Sequence, residues 1–178
     1  TDPASLQLRP GVLDVLRGLD ERGIVQTVVS HNDHQQAWPC IERLGLGDYF
    51  VYPAINWGQK SENLKTIARR MNLGLDTMSL IDDSPLQRSE VTTALVDVRV
   101  YAETDIPGLL ARPEFDVPVT EASRSRRLSY LASMRRDEVQ ASFTGDYEDF
   151  LRSCKMEIRV FEPATRDALV RCWELVQR

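Results

Sequence analysis

Along this 178-residue chain the spacing of apolar positions changes period repeatedly, and each change marks an element. Val12, Leu13, Leu16 and Leu19 recur at helical spacing behind Pro10, and Gly23 follows as a stop, which predicts a helix over 10–22. Residues 24–29 form a short, β-branched, mostly apolar run, the composition of a strand buried on both faces of a parallel sheet. Four polar residues, Ser30-His31-Asn32-Asp33, end it. A helix over 34–44, a short strand over 49–52, the Asn56-Trp57-Gly58 turn and Lys60 come next. Leu64, Ile67, Ala68 and Met71 then mark a helix closing near Asn72-Leu73-Gly74. The strand over 78–81 stops at Asp82-Asp83. Directly after it, Ser84 is a natural N-cap, Pro85 suits the first helical position and Gln87 completes a capping box, so a helix is predicted to start there and run to about Leu95. A strand over 98–101 follows.

Helices and strands alternating at these lengths predict an α/β fold with a doubly wound parallel sheet. From about Pro118 the pattern changes, because residues 124–143 are long, charged and poor in apolar positions. The predicted division is therefore a core over 1–117 and, over 118–178, a helical linker leading into a βα region. In that extension a helix is expected over 146–154, an alternating strand over 156–161, and an amphipathic helix over 165–177 that uses Leu169, Cys172, Trp173 and Val176.

Composition narrows the classes. With 42% hydrophobic and 28% charged residues the chain resembles an ordinary globular domain, and its longest apolar runs are strand-sized, too short for a membrane-crossing helix. The net charge of −5 argues against a nucleic-acid surface. Cys40, Cys154 and Cys172 have no C-x-x-C spacing, so reduced thiols in a cytoplasmic protein are expected; two histidines are too few for a histidine-built zinc site. The opening Thr1-Asp2-Pro3-Ala4 has neither an initiator Met nor a basic-then-apolar signal, and is expected to be an internal cut or an incompletely represented chain.

In an open parallel sheet, ligands sit beyond the carboxyl ends of the strands. Three such ends are polar here: Ser30 with Asn32, Lys60 in the loop after the 49–52 strand, and Asp82 with Asp83. Together a hydroxyl, an ammonium and a carboxylate pair suit a phosphoryl group and Mg²⁺, since Mg²⁺ favours one or two carboxylates plus waters and phosphate oxygens. Taken singly, each has a blander reading. Asp82-Asp83 before a helix suits a solvated turn, Ser30 a strand terminator, Lys60 a surface charge, His31 and His34 exposed loop residues, and Trp57 and Trp173 packing residues. What singles them out is their joint placement on one predicted sheet edge, with Lys60 and Asp82 required to lie within about 15 Å of each other.

Ser30 after a buried strand, Lys60 before a helix, and Leu80-Ile81-Asp82-Asp83-Ser84-Pro85 resemble the second, third and fourth motifs of the haloacid dehalogenase (HAD) superfamily of phosphoryl-transfer enzymes. The segments GIVQTVVSHND, INWGQKSENLKTIARRMNLGLDTMSLIDDSPLQRSEV and SRSRRLSYLASMRRDEVQASFTGDYEDFLRSCKMEIRV look like its FkbH-like branch, over about residues 9–178. The resemblance implies a HAD-like Rossmannoid core in which Ser30, Asn32 and Lys60 bind substrate, Ser30 and Lys60 act on the phosphoryl group, and Asp82 with Asp83 hold Mg²⁺. It further implies a small phosphorylated metabolite as substrate and, as partner, an acyl carrier protein that receives a glyceryl unit from an acyl phosphate in polyketide or peptide natural-product assembly.

One departure is large. The superfamily's nucleophile is an Asp in a D-x-D motif ending the first, central strand, and no apolar run followed by D-x-D precedes the first helix; Asp2 has no strand before it and Asp14 lies inside a helical pattern. The resemblance places that strand between those ending at Ser30 and Asp82. Three readings follow: a Mg²⁺-dependent phosphatase or glyceryl-transfer enzyme whose first strand lies outside this sequence, a non-catalytic docking module on the same scaffold, or an unrelated nucleotide-binding domain. The last lacks any G-x-G-x-x-G or P-loop. Joint retention of Ser30, Lys60 and Asp82-Asp83 favours the enzyme.

Overall fold

The computed structural model describes residues 7–144, 147–155, 157, 160 and 162–176. It divides into two compact units, Thr1–Met134 and Arg135–Arg178.

In the first unit the expected helices form as α1 (Val12–Glu21), α2 (His34–Arg43), α3 (Lys60–Met71) and α4 (Pro85–Ala94). The strands β1 (Val29–Ser30) and β2 (Ala54–Ile55) pair in parallel, as do β3 (Ser79–Asp82) and β4 (Arg99–Ala102). Hydrogen bonds extend the first ribbon beyond its two registered residues, since Val51 N donates to Gln26 O (2.9 Å), Ala54 N to Val28 O (2.7 Å) and Asn56 N to Ser30 O (3.0 Å). The strand expected over 49–52 is displaced. Residues Gly47–Tyr49 form a 3-10 turn, Tyr52 has φ +48, and Pro53 has no N–H, so regular pairing resumes only at Ala54.

The single doubly wound sheet is likewise present as two separate ribbons. Among the described residues no ladder joins β1 to β3. Both ribbons nevertheless share the same two apolar layers. Val25, Val29, Leu80 and Val98 pack with Leu64, Ile67 and Met71 of α3 and with Val91 and Leu95 of α4 and its cap. Ile24, Ile81 and Tyr101 pack instead with Val15 and Leu19 of α1, and with Leu109 and Phe115. The alternation of Leu80 and Ile81 between layers is the period of two of a strand covered on both faces. The result is a mixed α/β unit built on two parallel two-stranded ribbons.

The charged segment after 118 is helical, as α5 (Glu121–Arg124) and α6 (Arg126–Ser142), and the first unit runs to Met134 instead of ending at 117. Polar ties explain the longer reach: Arg127 bonds both Asp20 carboxylate oxygens (2.7 and 3.1 Å), Arg126 donates to Gly23 O (2.9 Å) and Tyr130 OH donates to Met71 O (3.0 Å). The hydrogen bond to Asp20 raises the Arg127 pKa further. Gly23, at φ +70, is required there, because a Cβ would lie 2.3 Å from Ser123 O.

In the second unit the end of α6 is followed by α7 (Tyr147–Ser153), where Phe143 and Phe150 meet edge-on at 5.6 Å, and by α8 (Arg166–Val176). The strand expected over 156–161 lies mostly outside the described residues. Leu169, Trp173 and Val176 of α8 are exposed, as are Cys154 and Cys172. No helix among the described residues is long and apolar enough to cross a membrane.

Candidate functional site

Asp82 owes its position to β3, whose last residue it is, paired with Ala102. Burial there (7% exposed) leaves its carboxylate few options, and each oxygen has a partner. Oδ1 accepts from Ser84 N at 2.9 Å, and Oδ2 accepts from Lys60 Nζ. The expected Ser84 cap forms, accepting from Gln87 N at 3.4 Å, and Pro85 occupies the first helical position. The capping box does not close through Gln87, because the carboxylate of Asp82 takes the Ser84 N–H that the glutamine side chain would have received.

Lys60 is the first residue of α3 and is also 7% exposed. Its contact with Asp82 is therefore a buried ion pair. Desolvating such charges costs several kcal/mol per ion, so a pair of this kind is a weak stabiliser, and at the carboxyl end of parallel strands it is a site signal. The two residues required within about 15 Å are in direct contact.

Ser30 ends β1, half-buried, and its hydroxyl makes no hydrogen bond among the described residues. The loop that follows is tied to the approach to Lys60, since His31 Nε2 lies 2.7 Å from Gly58 O and Asn56 Oδ1 accepts from Gly58 N at 2.8 Å. Asn56 and Asn63 then bond through their amides at 3.0 and 3.2 Å, fixing that loop to α3. Asn32 is exposed and engaged locally, its Oδ1 accepting from Asp33 N at 2.8 Å, while Asp33 caps α2 through Gln35 N. Asp83 does not join the Lys60 contact. Its side chain, just past the end of β3, is 71% exposed and pairs with Arg9 at 3.8 Å. Trp57, expected to pack, is 74% exposed beside His31, and His34 stacks on Trp38 in α2.

Three neighbours were missed from the sequence. Arg88 donates to Asp82 O at 2.7 Å and pairs with Glu103 at 3.6 Å, and Glu90 receives both the N–H (3.3 Å) and the hydroxyl of Ser61. A signal for Glu90 existed. Gln59 is a poor N-cap and makes no side-chain cap, so a helix starting at Lys60 needs an acceptor from elsewhere.

On β4, the hydroxyl of Tyr101 donates to the carboxylate of Glu114. Burial and that carboxylate push the Tyr101 pKa up to about 12, and the same hydrogen bond lowers the Glu114 pKa.

No protein-family model and no curated protein matches the chain at a significant level. Among solved structures, the N-terminal part of the protein BF1531 from Bacteroides fragilis, described as containing a phosphatase domain complexed with Mg, is 26% identical with a TM-score of 0.48. The match covers 73% of this chain and 32% of that one, so the chain spans less than the length of that protein.

Proposed function

We propose that this edge is the phosphate-binding part of a Mg²⁺-dependent, phosphatase-type site of the HAD kind. The observation that carries the reading is the buried Lys60–Asp82 contact at the carboxyl ends of parallel strands. A phosphoryl group is the ligand chemistry that uses both signs of charge, with an ammonium for its oxygens and a carboxylate for the metal that accompanies it. Asp82 fits Mg²⁺ as one anionic ligand, because each of its oxygens has a single partner and a second lone pair. Asp83, paired with Arg9, supports from outside. When bound, the metal supplies charge neutralisation at the phosphoryl oxygens.

The chain's own residues bind and orient. Lys60 Nζ turns from Asp82 toward a phosphoryl oxygen, the free Ser30 hydroxyl donates to another, and Asn32 closes the polar loop over the substrate. Burial of Lys60 and Asp82 strengthens these interactions by excluding water. In the family that the sequence resembles, the attacking carboxylate comes from a strand ending in D-x-D, and no D-x-D precedes α1 in this sequence. The narrower form of this reading, in which an acyl phosphate is processed and its glyceryl unit passes to an acyl carrier protein, is supported by the sequence resemblance of residues 9–178.

The test is Mg²⁺-dependent hydrolysis of a phosphomonoester or acyl phosphate by the full-length protein. Asp82→Asn, shown to be folded, is expected to lower kcat at least about 100-fold, the scale of removing a charged ligand worth a few kcal/mol. Unchanged turnover at saturating Mg²⁺ and substrate contradicts the assignment.

A further inference from the structure

We infer that Glu90 is a positioning residue that seats the start of α3 and thereby aims Lys60; the inference rests on the reading of Lys60 as the phosphate-binding cation. The first N–H groups of a helix have no partner inside it. At α3 the residue before the helix, Gln59, offers none from its side chain. Glu90, from α4, supplies the acceptor instead: Oε2 takes Ser61 N at 3.3 Å and Oε1 takes the Ser61 hydroxyl. Ser61 is 2% exposed, so this seat is shielded from water.

Electrostatics gives the carboxylate a second task. Lys60 sets a positive charge at the positive end of the α3 dipole, an unfavourable place that an anion at the same turn offsets. Consecutive residues of α3 are thus tied to one continuous segment, Lys60 to Asp82 at the end of β3 and Ser61 to Glu90 on α4. A lysine stem is flexible, so the Asp82 contact alone does not fix where the ammonium sits. The Ser61–Glu90 tie removes the sliding of the helix start that the stem would otherwise follow, and an error of about 1 Å in a phosphate cation costs on the order of 100-fold in rate.

The experiment needs no substrate. Acylation of the lysines of the full chain by an amine-reactive reagent, followed by peptide mass mapping, compares Lys60 with Lys65, an exposed lysine on the same helix. Glu90→Ala is expected to raise the Lys60 rate about tenfold or more, leaving Lys65 and the amide protection of β4 unchanged, because only a local opening is involved. Glu90→Gln, which keeps the shape and one acceptor, is expected to fall between and remains decisive if the alanine variant does not fold. Ser61→Ala combined with Glu90→Ala is expected to add little to either alone. Unchanged Lys60 labelling in the folded variants overturns the inference, as does a rise matched by loss of β4 protection, which is global destabilisation. Raised Lys60 labelling in a protein without phosphatase activity would instead remove the proposed function while keeping the seat.

Discussion

Two polar contacts, one buried and one part-buried, anchor the carboxyl ends of β3 and β4, and they are built on different chemistry. At β3, Lys60 and Asp82 pair two full charges inside the protein. At β4, the neutral phenol of Tyr101 donates to the carboxylate of Glu114, with Arg112 placed 4.8 Å over the ring and bonded to Asp105 at 2.7 Å. The second arrangement holds a strand end against its neighbouring turn with only one carboxylate to keep solvated. The first does a similar mechanical task at a higher desolvation cost, for little net gain in stability. A fold that ties the next strand with a single charge does not need a full ion pair here for strength. The Lys60–Asp82 pair is best understood through what its two charges do to a ligand.

The largest effect that sharpens this contrast is in stability. Lys60→Met leaves the Asp82 carboxylate buried without its cation, and is expected to cost about 3–5 kcal/mol in urea unfolding. The double variant Lys60→Met with Asp82→Asn keeps the acceptor for Ser84 N and removes both charges, and should recover most of that loss. A double variant as unstable as the single one would show that the pair is a genuine stabiliser, and the contrast would fail.

A smaller effect belongs to the other pair. Because the Tyr101 pKa is raised in the folded state, its contribution is complete below pH 10.0 and is lost as pH climbs toward about 12. Glu114 behaves in the opposite sense. Its pKa is lowered in the fold, so its contribution is present above the ordinary glutamate range and is lost as pH falls through the depressed value. Urea midpoints measured against pH should therefore decline at the alkaline end, and Tyr101→Phe should flatten that limb; equal slopes in both proteins would remove Tyr101 as the cause.

Much of the first unit could be read in the sequence, and the misreadings have local causes. The helix at Pro85 was legible because Ser84 and Pro85 act within one turn, whereas the Asp82 carboxylate that replaces Gln87 in the capping box arrives from the preceding strand. Tyr49 to Tyr52 has strand-like composition, yet Pro53 withholds a donor and Tyr52 takes a positive φ, so pairing moves to Ala54. Lys60 and Asp82 could be singled out by their places at element ends. Arg88 could not, and for Glu90 the poor N-cap at Gln59 signals only that α3 needs an acceptor, because the partner lies 29 residues away. Asp83 illustrates the converse: it is adjacent to Asp82 in sequence, yet the chain has left β3 at that residue and the side chain lies outside, toward Arg9.

Whether Lys60 and Asp82 serve a phosphoryl ligand is decided by a crystal structure of the full-length protein with Mg²⁺ and a phosphate analogue such as tungstate. The anion is expected within hydrogen-bond reach of both Lys60 Nζ and the Ser30 hydroxyl, with Mg²⁺ on Asp82 at about 2.1 Å. An anion bound elsewhere, with the Lys60–Asp82 contact intact beneath it, would contradict that role.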